Sequence, residues 1–466
     1  MSTTQRLNTL EKRLIAGGFV LFTLACVWVP LRLPLFHQCD ELHHFDYCLK
    51  IARHGHAEPT QPLEADLMDL ARGRLQHYKQ FYQGLDIADA RIEAEIIPNS
   101  YEAYQAPVFY WLAAGPLRLM DRLGWSLSAM VFSLRVFCAL LVIGARVLTF
   151  LALARFGRPV ALAALPFVLF FIPVDLLRVS NDGLVVLVAS AVLLGLTRLE
   201  PAGYDEPPRR HRPGRFALLL GFGLLLAVAT KVSAGLLLMP AAAVLLAVCW
   251  RAHGWRPAEA VALLGPPVAV GLVMAIDNYM GDGTLTGSAH LVGTFFPPRP
   301  QGFDPASLVP TVAEWLQIHK WYLLIETLLQ GRRGGELYYH DMLVTIEQIG
   351  LVVSLGVAAW GARPNRRRRL GWDDPTEAMQ RRWTVAAWIV MLLVVIQFSV
   401  LWTSVVRVYY SMRIMMPVEL MFVLPAAMGW AYLTAFGGRW APWARRLIWA
   451  GAAGLFAQAS WFYLTV

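Results

Sequence analysis

The run Gln38-Cys39-Asp40-Glu41-Leu42-His43-His44-Phe45-Asp46-Tyr47 sets two adjacent carboxylates, two imidazoles and a phenol directly after the first long apolar stretch. Charged groups beside hydrocarbon are costly unless they face water or a working site. With a helix starting near Asp40, positions Asp40, His43, His44, Tyr47 and Ile51 follow i, i+3, i+4, i+7 and i+11 and share one stripe. A carboxylate on such a stripe is placed to act as a general base. The alternative for Asp40 is a helix cap, worth about 1 kcal/mol. Glu41 reads as a helper or a partner of the helix dipole. His43 and His44 with Asp40 have metal-ligand spacing, but hydrogen-bonded neighbours share that spacing, so no metal or other cofactor is assigned.

Two further carboxylates fall on the same side of the membrane. Asp182, in Arg178-Val179-Ser180-Asn181-Asp182-Gly183, sits where an apolar helix turns back, and Ser-Asn-Asp-Gly is also ordinary capping chemistry. Glu102 lies in Asn99-Ser100-Tyr101-Glu102-Ala103-Tyr104-Gln105-Ala106-Pro107, where a loop carboxylate is otherwise a solvated charge. Arg178, Lys231, Arg407 and Arg413 are cations on the side that the charge rule keeps poor in them, with Tyr409 and Tyr410 close by. Each alone reads as a snorkelling side chain. Together they form a phosphate pocket, since Arg offers a bidentate fork and Lys a point charge. A carboxylate base beside such a pocket suits transfer of a group from a membrane-anchored phosphate.

The elements that must hold these residues are membrane helices. Of 466 residues 57% are hydrophobic and 16% charged, and apolar stretches long enough to cross a bilayer recur, which makes the chain an all-α polytopic membrane protein. Spans are expected near 14–36, 129–154, 159–177, 182–199, 216–231, 235–250, 258–277, 342–361, 383–404, 414–436 and 446–466, about eleven in one domain over 1–466. The apolar part of the N-terminal run is too long for a signal peptide, so it reads as a retained helix. With the N-terminus inside, the Arg-rich connections at 155–159, 201–215, 251–257, 363–382 (with Arg366-Arg367-Arg368-Arg369) and 437–446 are cytoplasmic and the C-terminus is outside. The net charge of +9 is therefore a topology signal and not a nucleic-acid footprint. The extracytoplasmic side receives the segments 37–128 and 278–341. The first is expected to carry a helix from Asp40 to His54, a second helical stretch from Glu64 to Gln83, and an aromatic-rich interfacial helix after Ala106-Pro107. Cys39 and Cys48 would stand about 13 Å apart along one helix, too far to bridge.

Four motifs resemble the GT-C superfamily of polytopic glycosyltransferases, close in pattern to the protein O-mannosyltransferases and the lipid A aminoarabinose transferases. They are Asp40-Glu41 continuing to His44, Tyr47 and Ile51-Ala52-Arg53-His54-Gly55; Tyr101-Glu102-Ala103-Tyr104-Gln105-Ala106-Pro107-Val108-Phe109-Tyr110; Arg178-Val179-Ser180-Asn181-Asp182; and Arg413-Ile414-Met415-Met416-Pro417. Ala106 stands where relatives commonly show a proline, and Ile414 where they often have tyrosine. The resemblance implies a GT-C-like bundle with interfacial helices on the extracytoplasmic loops, in a bacterial inner (plasma) membrane, with the active site facing the periplasm or outside. It implies a polyprenyl-phosphate sugar as donor, inversion at the anomeric carbon, and a lipid, glycan or protein hydroxyl of the envelope as acceptor. On matching positions Asp40 is the base, Glu41, Glu102 and Asp182 support it, and Lys231 and Arg413 hold the donor phosphate.

No cytoplasmic Asp-x-Asp, Gly-x-Gly-x-x-Gly or Walker A pattern is present, which disfavours a nucleotide-sugar donor. The rival reading is a transporter or flippase for a lipid-linked saccharide. That reading requires charges near the bilayer midplane and pseudo-symmetric halves, whereas these carboxylates gather at one surface.

Overall fold

The computed structural model describes residues 7–32, 39–72, 100–169, 174–199, 213–231, 257–282, 383–389 and 419–436, with isolated positions besides. The expected spans near 342–361 and 446–466 lie wholly or mostly outside these residues, as does the segment 283–382. The described chain is helical: α1 Thr9–Arg32, α2 Cys39–His54, α3 Val108–Arg122, α4 Leu127–Ala154, α5 Arg158–Leu169, α6 Asp182–Leu199, α7 Pro213–Thr230, α8 Pro257–Asp282 and α9 Glu419–Phe436. Two single 3₁₀ turns, Tyr101–Tyr104 and Val174–Leu177, lead into α3 and α6.

Three helices are long and apolar enough to cross a membrane, α1, α4 and the Pro257–Asp277 part of α8. At 1.5 Å per residue the 24 residues of α1 reach about 36 Å against a hydrocarbon core of about 30 Å. Their outward faces are apolar too: Leu14, Val20, Leu21, Leu24 and Trp28 of α1 and Val261, Leu272, Val273 and Ile276 of α8 are exposed, as lipid-facing positions require. The protein is a helical one suited to a membrane.

Element boundaries depart from the apolar runs for local reasons. α1 begins at Thr9 and not near residue 14 because Asn8 and Glu11 form a reciprocal capping box, Glu11 N–H donating to Asn8 Oδ1 at 2.8 Å and Asn8 N–H to Glu11 Oε2 at 2.9 Å. It stops at Arg32 and not near 36. Within the expected span 159–177 the described residues are α5, to Leu169, and the turn at Val174–Leu177. α2 runs to His54, where Gly55 takes φ +83° and returns its N–H to Ile51 O at 3.1 Å. Arg118 of α3 covers the neighbouring carbonyls of Ala52 and Ile51 at 2.8 and 3.1 Å. The helix expected from Glu64 is present over 65–72, where the described stretch ends.

α4 is the centre of the bundle, packed by α1, α5 and α6, while α6, α7 and α8 follow one another in a row and α9 lies on α5. α2 and α3 pack on each other. α3 buries Phe109, Tyr110, Ala113, Ala114, Leu117 and Met120 and turns Trp111, Leu112 and Leu119 outward. Between α7 and α8 the backbones come close: a Cβ built on Gly221 falls 2.3 Å from Ala262 O and 2.9 Å from Leu263 O. Backbone cannot swing aside as a side chain can, so this contact admits only glycine. Gly221→Ala is expected to destabilise the protein by about 1–3 kcal/mol. Gly271→Ala on α8, with nothing within 4 Å, is expected to be neutral. Unfolding midpoints of the two variants in detergent check this, and equal midpoints would refute the close approach.

Candidate functional site

The first turn of α2 is fixed by one buried ion pair. Glu41 and Arg135 have fully buried side chains. Nε of Arg135 donates to Oε1 at 2.7 Å and Nη2 to Oε2 at 2.6 Å, the bidentate fork that Lys does not offer. Arg135 Nη1 reaches Pro30 O at 3.0 Å, so the same guanidinium grips the last turns of α1. Glu41 also accepts the backbone N–H of Phe36 at 3.1 Å and of Val179 at 3.2 Å. Phe36 sits at φ +57°, a strained conformation for a bulky residue, and the Glu41 contact helps to hold it there. Burial alone pushes the Glu41 carboxyl up, but Arg135, with Arg178 and the Val179 N–H, outweighs it and holds the group below its ordinary range.

The stripe expected on α2 leads into a buried polar network. His44 Nδ1 lies 2.7 Å from the Tyr110 hydroxyl and 3.9 Å from Oε2 of Glu102. The Tyr47 and Tyr110 rings stack at 3.9 Å between centroids, and Tyr47 OH donates to Gln105 O at 3.4 Å. Burial raises the Tyr47 phenol above its ordinary value, so it acts as a neutral donor. Gln105 Nε2 donates to Glu102, and Gln105 Oε1 accepts from Asn181 Nδ2 at 2.5 Å. Asn181 Nδ2 also donates to Thr230 O at 3.1 Å, which ties the turn before α6 to the end of α7. One residue on from each, Lys231 Nζ meets Asp182 Oδ1 at 2.5 Å, with side chains 17% and 3% exposed.

Farther along α2 the chain is anchored by two more clusters. Asp46 accepts from Ser100, from Lys50 at 3.1 Å and from the Glu64 N–H at 2.9 Å, which docks the start of the 100–107 segment onto α2. Arg53 bridges Asp121 of α3, Asp66 and Glu64, with contacts of 2.9–3.2 Å. Arg53 holds the Asp66 carboxyl below its usual range.

Of the residues singled out in the sequence, Glu41, His43, His44, Tyr47, Glu102, Arg178 and Asp182 are buried and Lys231 is partly so. The contacts above bring His44, Tyr47 and Glu102 into one network, which Asn181 joins to the Asp182–Lys231 pair. Asp40 is in the first turn of α2, next to Glu41, and its side chain lies outside what is described. Arg407, Tyr409, Tyr410 and Arg413 also lie outside the described residues. Among the described residues no group of three or more His, Cys, Asp or Glu is placed to hold a metal ion. The thiols of Cys26, Cys48 and Cys138 are free and buried.

Four members of the site escaped the sequence reading. Arg135 lies within the apolar span expected at 129–154, where an arginine is itself a signal of a buried partner. Gln105, Tyr110 and Asn181 stand within the quoted motifs, but attention to titratable groups passed over them. Neither family models, nor curated proteins, nor solved structures yield a match to this chain.

The Glu41–Arg135 pair makes a signed prediction. Arg135→Leu strands a buried carboxylate, which typically costs about 3–5 kcal/mol near neutrality. Without Arg135 only Arg178 and the Phe36 and Val179 N–H groups oppose burial, so the folded-state value of Glu41 rises. Such a group contributes stability at low pH and loses it as pH rises, so the deficit of the variant should shrink as pH falls from 7 toward about 4. Unfolding in detergent across that range checks it, and a small deficit independent of pH would show that the pair does not hold the turn.

Proposed function

We propose that the protein is a membrane glycosyltransferase of GT-C type. In this reading it moves a sugar from a polyprenyl-phosphate donor to a hydroxyl of an envelope lipid, glycan or protein, with inversion, at the outer surface of a bacterial inner membrane. The full bundle has about eleven spans, of which α1, α4 and α8 are three. The observation that carries the reading is convergence: carboxylates and cations from sequence positions as far apart as 41 and 231 gather where α2, α6 and the end of α7 meet. A structural role for each would not require all of them at one end of an apolar bundle.

A lipid-phosphate sugar carries its own leaving group, so the protein has to orient the acceptor, take its proton and neutralise the departing phosphate. Asp40 takes the proton from the acceptor hydroxyl. The oxygen then bonds to the anomeric carbon from the face opposite the phosphate, and the carbon–oxygen bond to phosphate breaks with its electron pair passing to the phosphate. Arg178, Arg407 and Arg413 meet that charge, with Tyr409 and Tyr410 as hydroxyl donors. Lys231 joins them from its place on Asp182, which keeps the ammonium in position when no phosphate is bound. His43, His44 and Tyr47 shape the acceptor side. No metal is needed for these steps.

Asp40→Asn separates base from cap, since Asn caps a helix about as well as Asp. Sugar transfer at saturating donor should fall by roughly 10²–10⁴-fold while the protein stays folded. Near-normal turnover would remove Asp40 from the mechanism and leave Glu102 and Asp182 as the carboxylates to test.

A further inference from the structure

At two consecutive positions in front of α6, buried polar atoms are left over. Ser180 is 2% exposed and Asn181 is fully buried. Among the described residues, neither Ser180 Oγ nor Asn181 Oδ1 has a hydrogen-bond partner. A buried polar atom without a partner typically costs about 1–3 kcal/mol, so two side by side at the mouth of an 18-residue helix call for an occupant.

The orientation of the Asn181 amide is set from outside. An ionised carboxylate only accepts, so Glu102 draws the Nε2 end of Gln105 toward itself. Gln105 is thereby obliged to present Oε1 to its other neighbour, and Asn181 answers with Nδ2. The same Nδ2 serves Thr230 O, another acceptor. Both hydrogens of the Asn181 amide are thus spent on acceptors, and Oδ1 is the end left over. Asn181 O already accepts from Val185 N–H as the first bond of α6, yet Oδ1 does not cap that helix. Glu102 is thereby the group that fixes the polarity of the amide chain.

An acceptor fixed in this way tells ligands apart by their hydrogens. Phosphate oxygens in their ionised form accept and do not donate, so Asn181 Oδ1 is not a phosphate contact. It suits a group bearing O–H. Ser180 Oγ, a donor and an acceptor at once, can complete a pair of bonds to one or two hydroxyls. The geometry points to Ser180 and Asn181 as the hydroxyl-recognition site for a polyhydroxylated ligand, beside Lys231, which is assigned to phosphate. This inference rests on the glycosyltransferase reading and adds to it which residues read the sugar or the acceptor.

Ser180→Ala is the sharpest test, because among the described residues Oγ makes no hydrogen bond that its loss would strand. The variant should unfold at the wild-type midpoint. Binding to vesicles carrying a polyprenyl-phosphate hexose or unglycosylated polyprenyl phosphate is then compared. A loss of about threefold to tenfold for the hexose lipid alone, the scale of one hydrogen bond, places the donor sugar at this site. Unchanged binding of both lipids with a similar rise in KM for acceptors in membrane extract places the acceptor hydroxyl there instead. Asn181→Ala removes bonds to Gln105 and Thr230 and lowers stability, so its readout is the ratio of the two lipid affinities, which a smaller folded fraction does not alter. If neither variant changes that ratio or the acceptor KM, the inference is overturned. If the wild-type protein binds neither lipid, the glycosyltransferase reading fails at its donor.

Discussion

The fully buried Glu41–Arg135 pair is the constraint on which the polar end of the described bundle depends. A charge pair with no access to water is tolerated only when its remaining polar groups are satisfied. Here they are: two backbone N–H groups, from Phe36 and Val179, complete the carboxylate, and Pro30 O takes a further N–H of the guanidinium. The result is a single node at which the end of α1, the turn into α2, α4 and the turn before α6 are joined. Asp40 is adjacent to that node in sequence and its backbone is carried by it. A base that must hold one geometry through a reaction gains from such a neighbour, because the rigid partner, and not the base itself, bears the positioning.

The polar groups around the node divide into two kinds. Asp182 and Lys231 are already matched to each other, so the partly buried lysine is held in place before a ligand arrives. Glu102, Gln105, Asn181, Tyr110 and His44 form a chain in which each group's orientation is dictated by the next. When the Tyr110 hydroxyl hydrogen is directed to Gln105, Nδ1 of His44 must carry the hydrogen that joins it to Tyr110. A carboxylate at one end of the chain thus sets the hydrogen-bonding character of the amide at the other, on the far side of the contact between the 100–107 segment and α6.

Much of this was readable from residue order. The stripe from Asp40 to Ile51 demanded a helix, and Cys39–His54 is one. Ala106-Pro107 marked the start of an aromatic-rich helix, and Val108–Arg122 is one. Arg135 was invisible because its significance comes from a partner 94 residues earlier, and hydrophobic periodicity reports faces but not pairings. Gln105 and Asn181 were passed over because neutral amides carry no charge to flag them; their importance lies in which end points where, a property only of the assembled network. The early start of α1 was set by a two-residue capping exchange outside the apolar run that defined the span.

The central claim is that this polar end of the bundle faces outward and consumes a lipid-linked sugar. The most direct measurement is transfer of label in proteoliposomes of known protein orientation. A polyprenyl-phosphate hexose labelled in the sugar is confined to one leaflet, and acceptors from membrane extract are supplied on the same side. Label should leave the polyprenyl phosphate only when donor and acceptor are on the face that carries the N-terminal end of α2, and free polyprenyl phosphate should appear in equal amount. Consumption from the opposite face, movement of the intact lipid-linked sugar across the bilayer without its cleavage, or transfer from a nucleotide sugar instead would contradict the account.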